Sequence, residues 1–344
     1  MRILRVLMLI MSAAPVSASA AGDQAPGGVV RSPAHVPDAP VKDGAALDGA
    51  SSTVNPQRGR VQVQFGDRGE LIVDGKRRFV RAGYRSGQVD GFTGALRSAA
   101  EAGFDMVHDY HFESFDIAQL GVQRYIQDAR AYLRRAEQLG LGVFLGLPRT
   151  AVRAADESTL ATIVGELSNE RALWMWYIYD EPRPDVLSIE TASRVYNLLH
   201  RLDPQRPSIM LTNRASTMQQ YHPFCDVLWF DRYPIAATSI KKSSLSPIAE
   251  ALATAMKTVP ARKPVWPVLQ AQDNKGNPSL RKRVPKLRPP DDRTHRPNEA
   301  DLRAQAHVAI AQNAMAVVYY WAPEAWYSMK TDTPGIWTSL GRVL

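Results

Sequence analysis

The chain predicts a (β/α)8 barrel. Three observations carry that reading: eight short apolar runs, helical periodicity in the segments between them, and a gathering of carboxylates, amides and aromatic rings where the runs end. Its 344 residues, 45% hydrophobic and 22% charged, suit a globular chain with a sizeable core. A doubly wound open sheet is the nearest competitor. It would carry a Gly-rich phosphate turn after its first strand, and RAGYRSG lacks the GxGxxG spacing.

The first twenty residues, MRILRVLMLIMSAAPVSASA, combine a basic start (Arg2, Arg5), an apolar centre (Leu7 to Ala14) and the small-residue end Ala18-Ser19-Ala20. This is the layout of a secretory signal peptide cleaved after Ala20, which predicts a secreted or periplasmic protein. The apolar part is too short for a stable span, so no membrane segment is expected after cleavage. Residues 21–59, rich in Ala, Gly, Pro, Asp and Val, read as a flexible linker, and 60–344 as the barrel. Cys225 is the only cysteine, so no internal disulfide can form; within FCDVLWF it reads as a small buried apolar residue.

Structure is expected to begin near Arg60. RVQVQF alternates as a strand does, and GDRGELIVDGKRRF reads as strand, Asp-Gly turn, strand: a short N-terminal β-hairpin. The eight runs follow: RRFVRAGY (77–84), FDMVHDY (104–110), LGVFLGLP (141–148), LWMWYIYDEP (173–182), PSIMLTN (207–213), DVLWFDRYP (226–234), KPVWPVLQ (263–270) and AVVYYWAP (316–323). Helices are predicted over 122–140, 188–204, 246–260 and 298–314. In the first, Tyr125, Ala129, Leu133 and Ala136 keep the 3.6 period. PGIWTSLGRVL leaves room only for an abbreviated last helix.

In a barrel the strand interiors are apolar and the chemistry sits at their C-terminal ends. Asp180 and Glu181 terminate the fourth run, with Pro182 closing the ladder. Asp231 and Tyr233 end the sixth, and His108, Asp109 and His111 the second. Tyr84 ends the first run, the third ends LPRT, Asn213 follows the fifth, Gln270 and Gln272 the seventh, and Trp321, Glu324 and Trp326 the eighth. Paired carboxylates suit general acid–base work, aromatic faces stack on sugar rings, and amides bind hydroxyls. Trp174, Trp176, Trp229 and Trp266 lie inside strands and read as core, as do Met175 and Met210. Asp180 could instead pair with Arg183, and Asp231 with Arg232. The His108/His111 pair lacks a third clustered ligand, so no metal is expected; substrate hydrogen bonding by His111 or Tyr110 fits better.

The net charge is +8, and Arg2 and Arg5 leave with the signal, taking it to +6. Residues 281–296, RKRVPKLRPPDDRTHR, hold seven Lys or Arg against two Asp, so the rest of the mature chain is close to neutral. One basic loop without interleaved aromatics argues against nucleic acid and suits either a solvated insertion or a clamp for an acidic polymer.

The segments DGKRRFVRAGY, AAEAGFDMV, AEQLGLGVFLGLP, WYIYDEP, RLDPQRP, DVLWFDRYP, KPVWPVLQ and AVVYYW resemble the successive strands and turns of (β/α)8 glycoside hydrolases of clan A, over roughly residues 61–330. The resemblance implies hydrolysis of O-glycosidic bonds in a polysaccharide or oligosaccharide, without a cofactor. Glu181 matches the family's acid/base glutamate at the end of strand four, with Asp180 in place of the preceding asparagine. At the end of strand seven, where the family carries its nucleophilic glutamate, this chain has Gln270, which can neither form a glycosyl ester nor act as a base. Three accounts remain open. Asp231 or Asp109 could activate water opposite Glu181, Asp180 could contribute, or the site could bind glycan without cutting it. The first gives catalytic roles to Glu181, Asp231 and Asp180, with Tyr84, His111, Asn213, Tyr233, Gln270 and Trp321 lining the sugar site. The last describes a catalytically silent carbohydrate-binding protein of a polysaccharide export or assembly system.

Overall fold

The computed structural model describes residues 60–84, 91–234, 245–272, 297–320 and 334–344. The expected signal peptide and linker (1–59), the basic stretch 281–296, Trp321, Glu324 and Trp326 lie outside the described residues.

All eight apolar runs form barrel strands. They are β4 (Val80–Tyr84), β5 (Met106–Val107), β6 (Gly142–Gly146), β7 (Leu173–Asp180), β8 (Ser208–Thr212), β9 (Val227–Asp231), β10 (Val265–Gln270) and β11 (Ala316–Tyr320). Each pairs in parallel with its sequence neighbour, and β11 closes on β4 from Ala316↔Val80 to Tyr320↔Tyr84. The run 77–84 is divided. Lys76–Arg78 is β3 of a separate three-stranded antiparallel sheet with β1 (Val63–Phe65) and β2 (Leu71–Val73), and Phe79 between β3 and β4 is exposed. The β2–β3 hairpin turns on Asp74 and Gly75, whose φ values of +47° and +76° are the pair of left-handed residues that a two-residue turn of this hand needs.

The predicted helices form over Val122–Gln138, Ile189–Leu202, Ser246–Thr258 and Glu299–Ala311, and the short last one over Pro334–Val343. Ser188 caps the second by accepting from the Thr191 N–H, and Asn298 and Asp301 make a reciprocal capping box at the fourth. Tyr125, Ala129, Leu133 and Ala136 are all buried, as the period requires.

Alternation along the strands divides the core into two. Leu228, Phe230 and Leu269 point outward to the helices, whereas Trp229, Trp266, Val268, Ala82 and Tyr84 fill the barrel interior. Val61, Val63, Leu71 and Val73 of the small sheet join the interior cluster, and the Phe65 ring meets Trp266 edge-on at 6.3 Å. The sheet therefore floors the barrel at its N-terminal end, which leaves the C-terminal ends of the strands as the open face. Trp174, Trp176, Trp229, Trp266, Met175 and Met210 are core, and so is Cys225, whose burial pushes its thiol up to about 12. Among the described residues no helix is long and apolar enough to cross a membrane.

Candidate active site

The site is built by strand parity. Along β7, Met175 and Tyr177 point into the barrel and Trp176 and Ile178 away from it. The register against β8 then shifts between Tyr177 and Tyr179, so that two successive residues, Ile178 and Tyr179, face outward. This irregularity resets the alternation and brings Asp180, opposite inward-facing Leu211, back to the interior side. Asp231 keeps the inward parity on β9, after inward Val227 and Trp229 and opposite inward Val268.

Glu181 follows immediately, with its N–H donating to the Leu211 carbonyl at 3.0 Å. Its φ of +49° is left-handed, an uncommon conformation for a residue with a side chain and one that collects at functional sites. The turn carries Glu181 to an exposed position, while Pro182 is buried behind it. Asp231 is only 8% exposed and lies in side-chain hydrogen-bond contact with Glu181. Such a contact needs a proton, and burial, followed by the charges of Glu181 and Asp180, pushes the Asp231 carboxyl well above the usual carboxylate range. Arg232, the local partner the sequence offers Asp231, does not set its charge state.

The raised Asp231 pKa has a consequence for stability. Between the unfolded carboxylate range near pH 4 and its higher folded value, the native state binds more protons than the unfolded chain, so this group's contribution is lost as pH rises. Asp231→Asn is expected to leave the urea midpoint nearly unchanged at pH 4 and to raise stability at pH 8 by about 0.5–2 kcal/mol, the usual gain on relaxing a strained site. An equal effect at both pH values would mean that Asp231 is ionised in the native state.

Asp180 does not pair with Arg183, which bonds to Asp185. It accepts from Arg149 Nη2 at 3.1 Å through Oδ2 and from the Tyr177 hydroxyl at 3.4 Å through Oδ1. The same guanidinium donates to Glu113 Oε2 from Nε at 3.3 Å and Nη2 at 3.1 Å, and lies 4.5 Å from the Tyr110 ring centre. Burial alone would lower the Arg149 pKa, but Glu113, Tyr110 and Asp180 together outweigh it and raise it. Glu113 is fully enclosed, with its Oε1 2.7 Å from His108 Nε2. His108 stacks on Phe144 at 4.9 Å, and Tyr84 and Tyr177 meet hydroxyl to hydroxyl at 3.0 Å.

Sequence reasoning did not single out Glu113, Arg149 or Tyr177. The one local signal is Gly146, a glycine inside a strand, which often marks a close approach. A Cβ there would stand 2.4 Å from Glu113 Cγ, so the missing side chain is the space the carboxylate occupies.

The remaining candidates are dispersed. Tyr84 is 2% exposed and Gln270 wholly buried, so both belong to the floor beneath the mouth rather than to its wall. The Gln270 side chain donates to the Gln272 carbonyl at 3.4 Å, and its backbone is held from both sides by the buried Gln305 amide. Tyr233 is half-buried, its ring 5.5 Å from Tyr320, which in turn lies 5.8 Å from Tyr84. Asn213 is half-buried at the end of β8. The His111 ring packs edge-on against Phe112 and Phe115, with Asp128 and Arg124 of the 122–138 helix as charged neighbours. Burial depresses its pKa. Asp109 accepts from the His111 N–H at 2.8 Å, and burial pushes its carboxyl up. Its side chain serves as the cap of the 110–113 helix.

No family model matches the chain, and no curated protein matches it. Solved structures do. A GH2 beta-galacturonidase from Eisenbergiella tayi bound to galacturonate superposes with a TM-score of 0.55 at 13% identity, covering 83% of this chain and 54% of its own. A beta-glucuronidase from an uncultured Clostridium sp. gives 0.55 at 13%, covering 82% and 53%. The beta-D-glucuronidase of Dictyoglomus thermophilum gives 0.54 at 14%, with the same coverage. The fold is glycoside hydrolase-like. At these identities the likeness is one of fold, and this chain spans about half the length of the glycosidases it superposes on.

Proposed function

We propose that this glycoside hydrolase-like barrel is an exported enzyme that hydrolyses O-glycosidic bonds in a polysaccharide or oligosaccharide, with Glu181 as the general acid. The observation that carries the reading is the carboxyl pair: exposed Glu181 in hydrogen-bond contact with buried Asp231, whose pKa is raised. Two adjoining carboxyls share a proton because both cannot ionise at low cost. The shared proton passes through Glu181, the accessible member, to the glycosidic oxygen; water adds to the anomeric carbon, and the proton it sheds returns to the pair. Asp231 is thus a proton store for the acid rather than the base on water that its position in the sequence suggests.

Export rests on the signal-like residues 1–20. An acidic glycan is supported by the +5 stretch 281–296, which follows β10 in the sequence, and by the uronidase names of the superposing structures. Attraction to such a loop weakens with salt.

The test is a panel of neutral and uronate-bearing aryl glycosides and oligosaccharides, incubated with the full mature chain and assayed for released aglycone and reducing ends. Hydrolysis with an acid-limited pH profile is expected. A second reading, a catalytically silent glycan-binding protein, has one observation in its favour: Gln270 is buried and bonded internally where clan A carries a nucleophile. Glycan binding by calorimetry with no turnover across the panel would favour it.

A further inference from the structure

We propose that Glu113 is a positioning residue for the acid corner, fixing Asp180, and with it the Asp180–Glu181 turn, through Arg149. The proposal rests on the reading of Glu181 as the acid. Glu113 does not touch substrate; it acts through a closed ring of contacts beneath the mouth.

Arg149 lies in the first turn of the 149–154 helix, and its side chain is one quarter exposed. Alone it could swing toward solvent. Glu113 holds it by accepting from both Nε and Nη2, and Nη2 also reaches Asp180. The ring closes on the other side, where Glu113 meets His108, His108 lies against the Tyr84 and Tyr177 rings at 5.1 and 4.9 Å, and Tyr177 donates to the second oxygen of Asp180. Asp180 Oδ2 is therefore held by Arg149, which follows β6, and Oδ1 by Tyr177 within β7, with Glu113, which follows β5, behind Arg149.

Burying a carboxylate as completely as Glu113 is unfavourable, and an apolar residue would fill the space beside Gly146 more simply. What an apolar residue could not do is orient a guanidinium fork. Glu181 adopts a left-handed turn directly after Asp180, so any freedom at Asp180 becomes freedom in the direction of the acid. Misplacement of about 1 Å can cost about 10²-fold in rate.

The experiment compares Glu113→Gln, Asp180→Asn and the double variant of the full mature chain on the best glycoside from the panel. For Glu113→Gln, kcat is expected to fall about 10–100-fold with KM within about twofold. In the Asp180→Asn background the same change should cost less than about threefold, because the ring is already open. Fully multiplicative effects, or a Glu113→Gln variant that loses thermal stability but keeps kcat, would overturn the proposal. If Glu113→Gln does not fold, Arg149→Lys, which keeps the charge and loses the fork, takes its place with the same expectations. If the wild type hydrolyses nothing, the reading of Glu181 falls separately. The proposal then stands or falls on carbon-13 carboxyl titrations: a displaced Glu181–Asp231 midpoint in Glu113→Gln supports it, and an unchanged one overturns it.

Discussion

Glu181→Gln is expected to lower kcat by about 10²–10⁴-fold, the contribution of a positioned general acid, and to leave glycan affinity nearly unchanged. The amide keeps the size of the side chain and can still bond to Asp231, so the corner should fold as before. What it cannot do is release a proton to a leaving oxygen. Two further signatures follow. Aryl glycosides with acidic leaving groups need little protonation, so they should lose far less rate than natural linkages. The alkaline limb of the pH profile, where the acid loses its proton and which reports the pair rather than either residue, should disappear. Steady-state kinetics on both leaving-group types, with calorimetric affinity alongside, measures all of this. Equal losses on both types would show that Glu181 is not the acid.

Arg149→Met is expected to be the most destabilising single change at the site, by about 3–5 kcal/mol. The guanidinium is the cation that faces both Glu113, which is 1% exposed, and Asp180. Methionine fills much the same volume but leaves Glu113 buried beside His108 without its charged partner. Against a total of about 5–15 kcal/mol for a typical domain, the urea midpoint should move markedly. Pairing Arg149→Met with Glu113→Gln should recover a large part of the loss, because the unpartnered charge is then gone. A single-variant loss under about 1 kcal/mol would mean that water reaches Glu113 and that the ring is not closed as described.

The barrel was legible because its signals are local. LWMWYIYD reads as a buried strand from apolar content alone, and VQRYIQDARAYLRRAEQ as a helix from a period that any short window contains. The position of the Asp180–Glu181 corner was legible for the same reason: two carboxylates and a proline at the end of an apolar run are costly to bury, and a barrel strand has one end that reaches an open face. The N-terminal sheet was read as strands, but its role as the barrel floor was not, since nothing in RVQVQF says which surface its valines cover.

What the sequence determined by itself is therefore the architecture and the strand ends at which chemistry can occur. The tertiary structure alone decided which groups meet there. Asp231 reaches Glu181 across an intervening strand, Glu113 enters the space left by Gly146, and Tyr84 and Gln270 sink into the floor instead of lining the wall. The physical reason lies in depth and parity. Alternation along a strand says that a side chain points in or out, but its level along the barrel axis depends on the stagger of eight strands and the volumes that fill each layer. One register shift, between Tyr177 and Tyr179, is enough to turn Asp180 from the outer side to the inner, and no pattern in LWMWYIYDEP announces it.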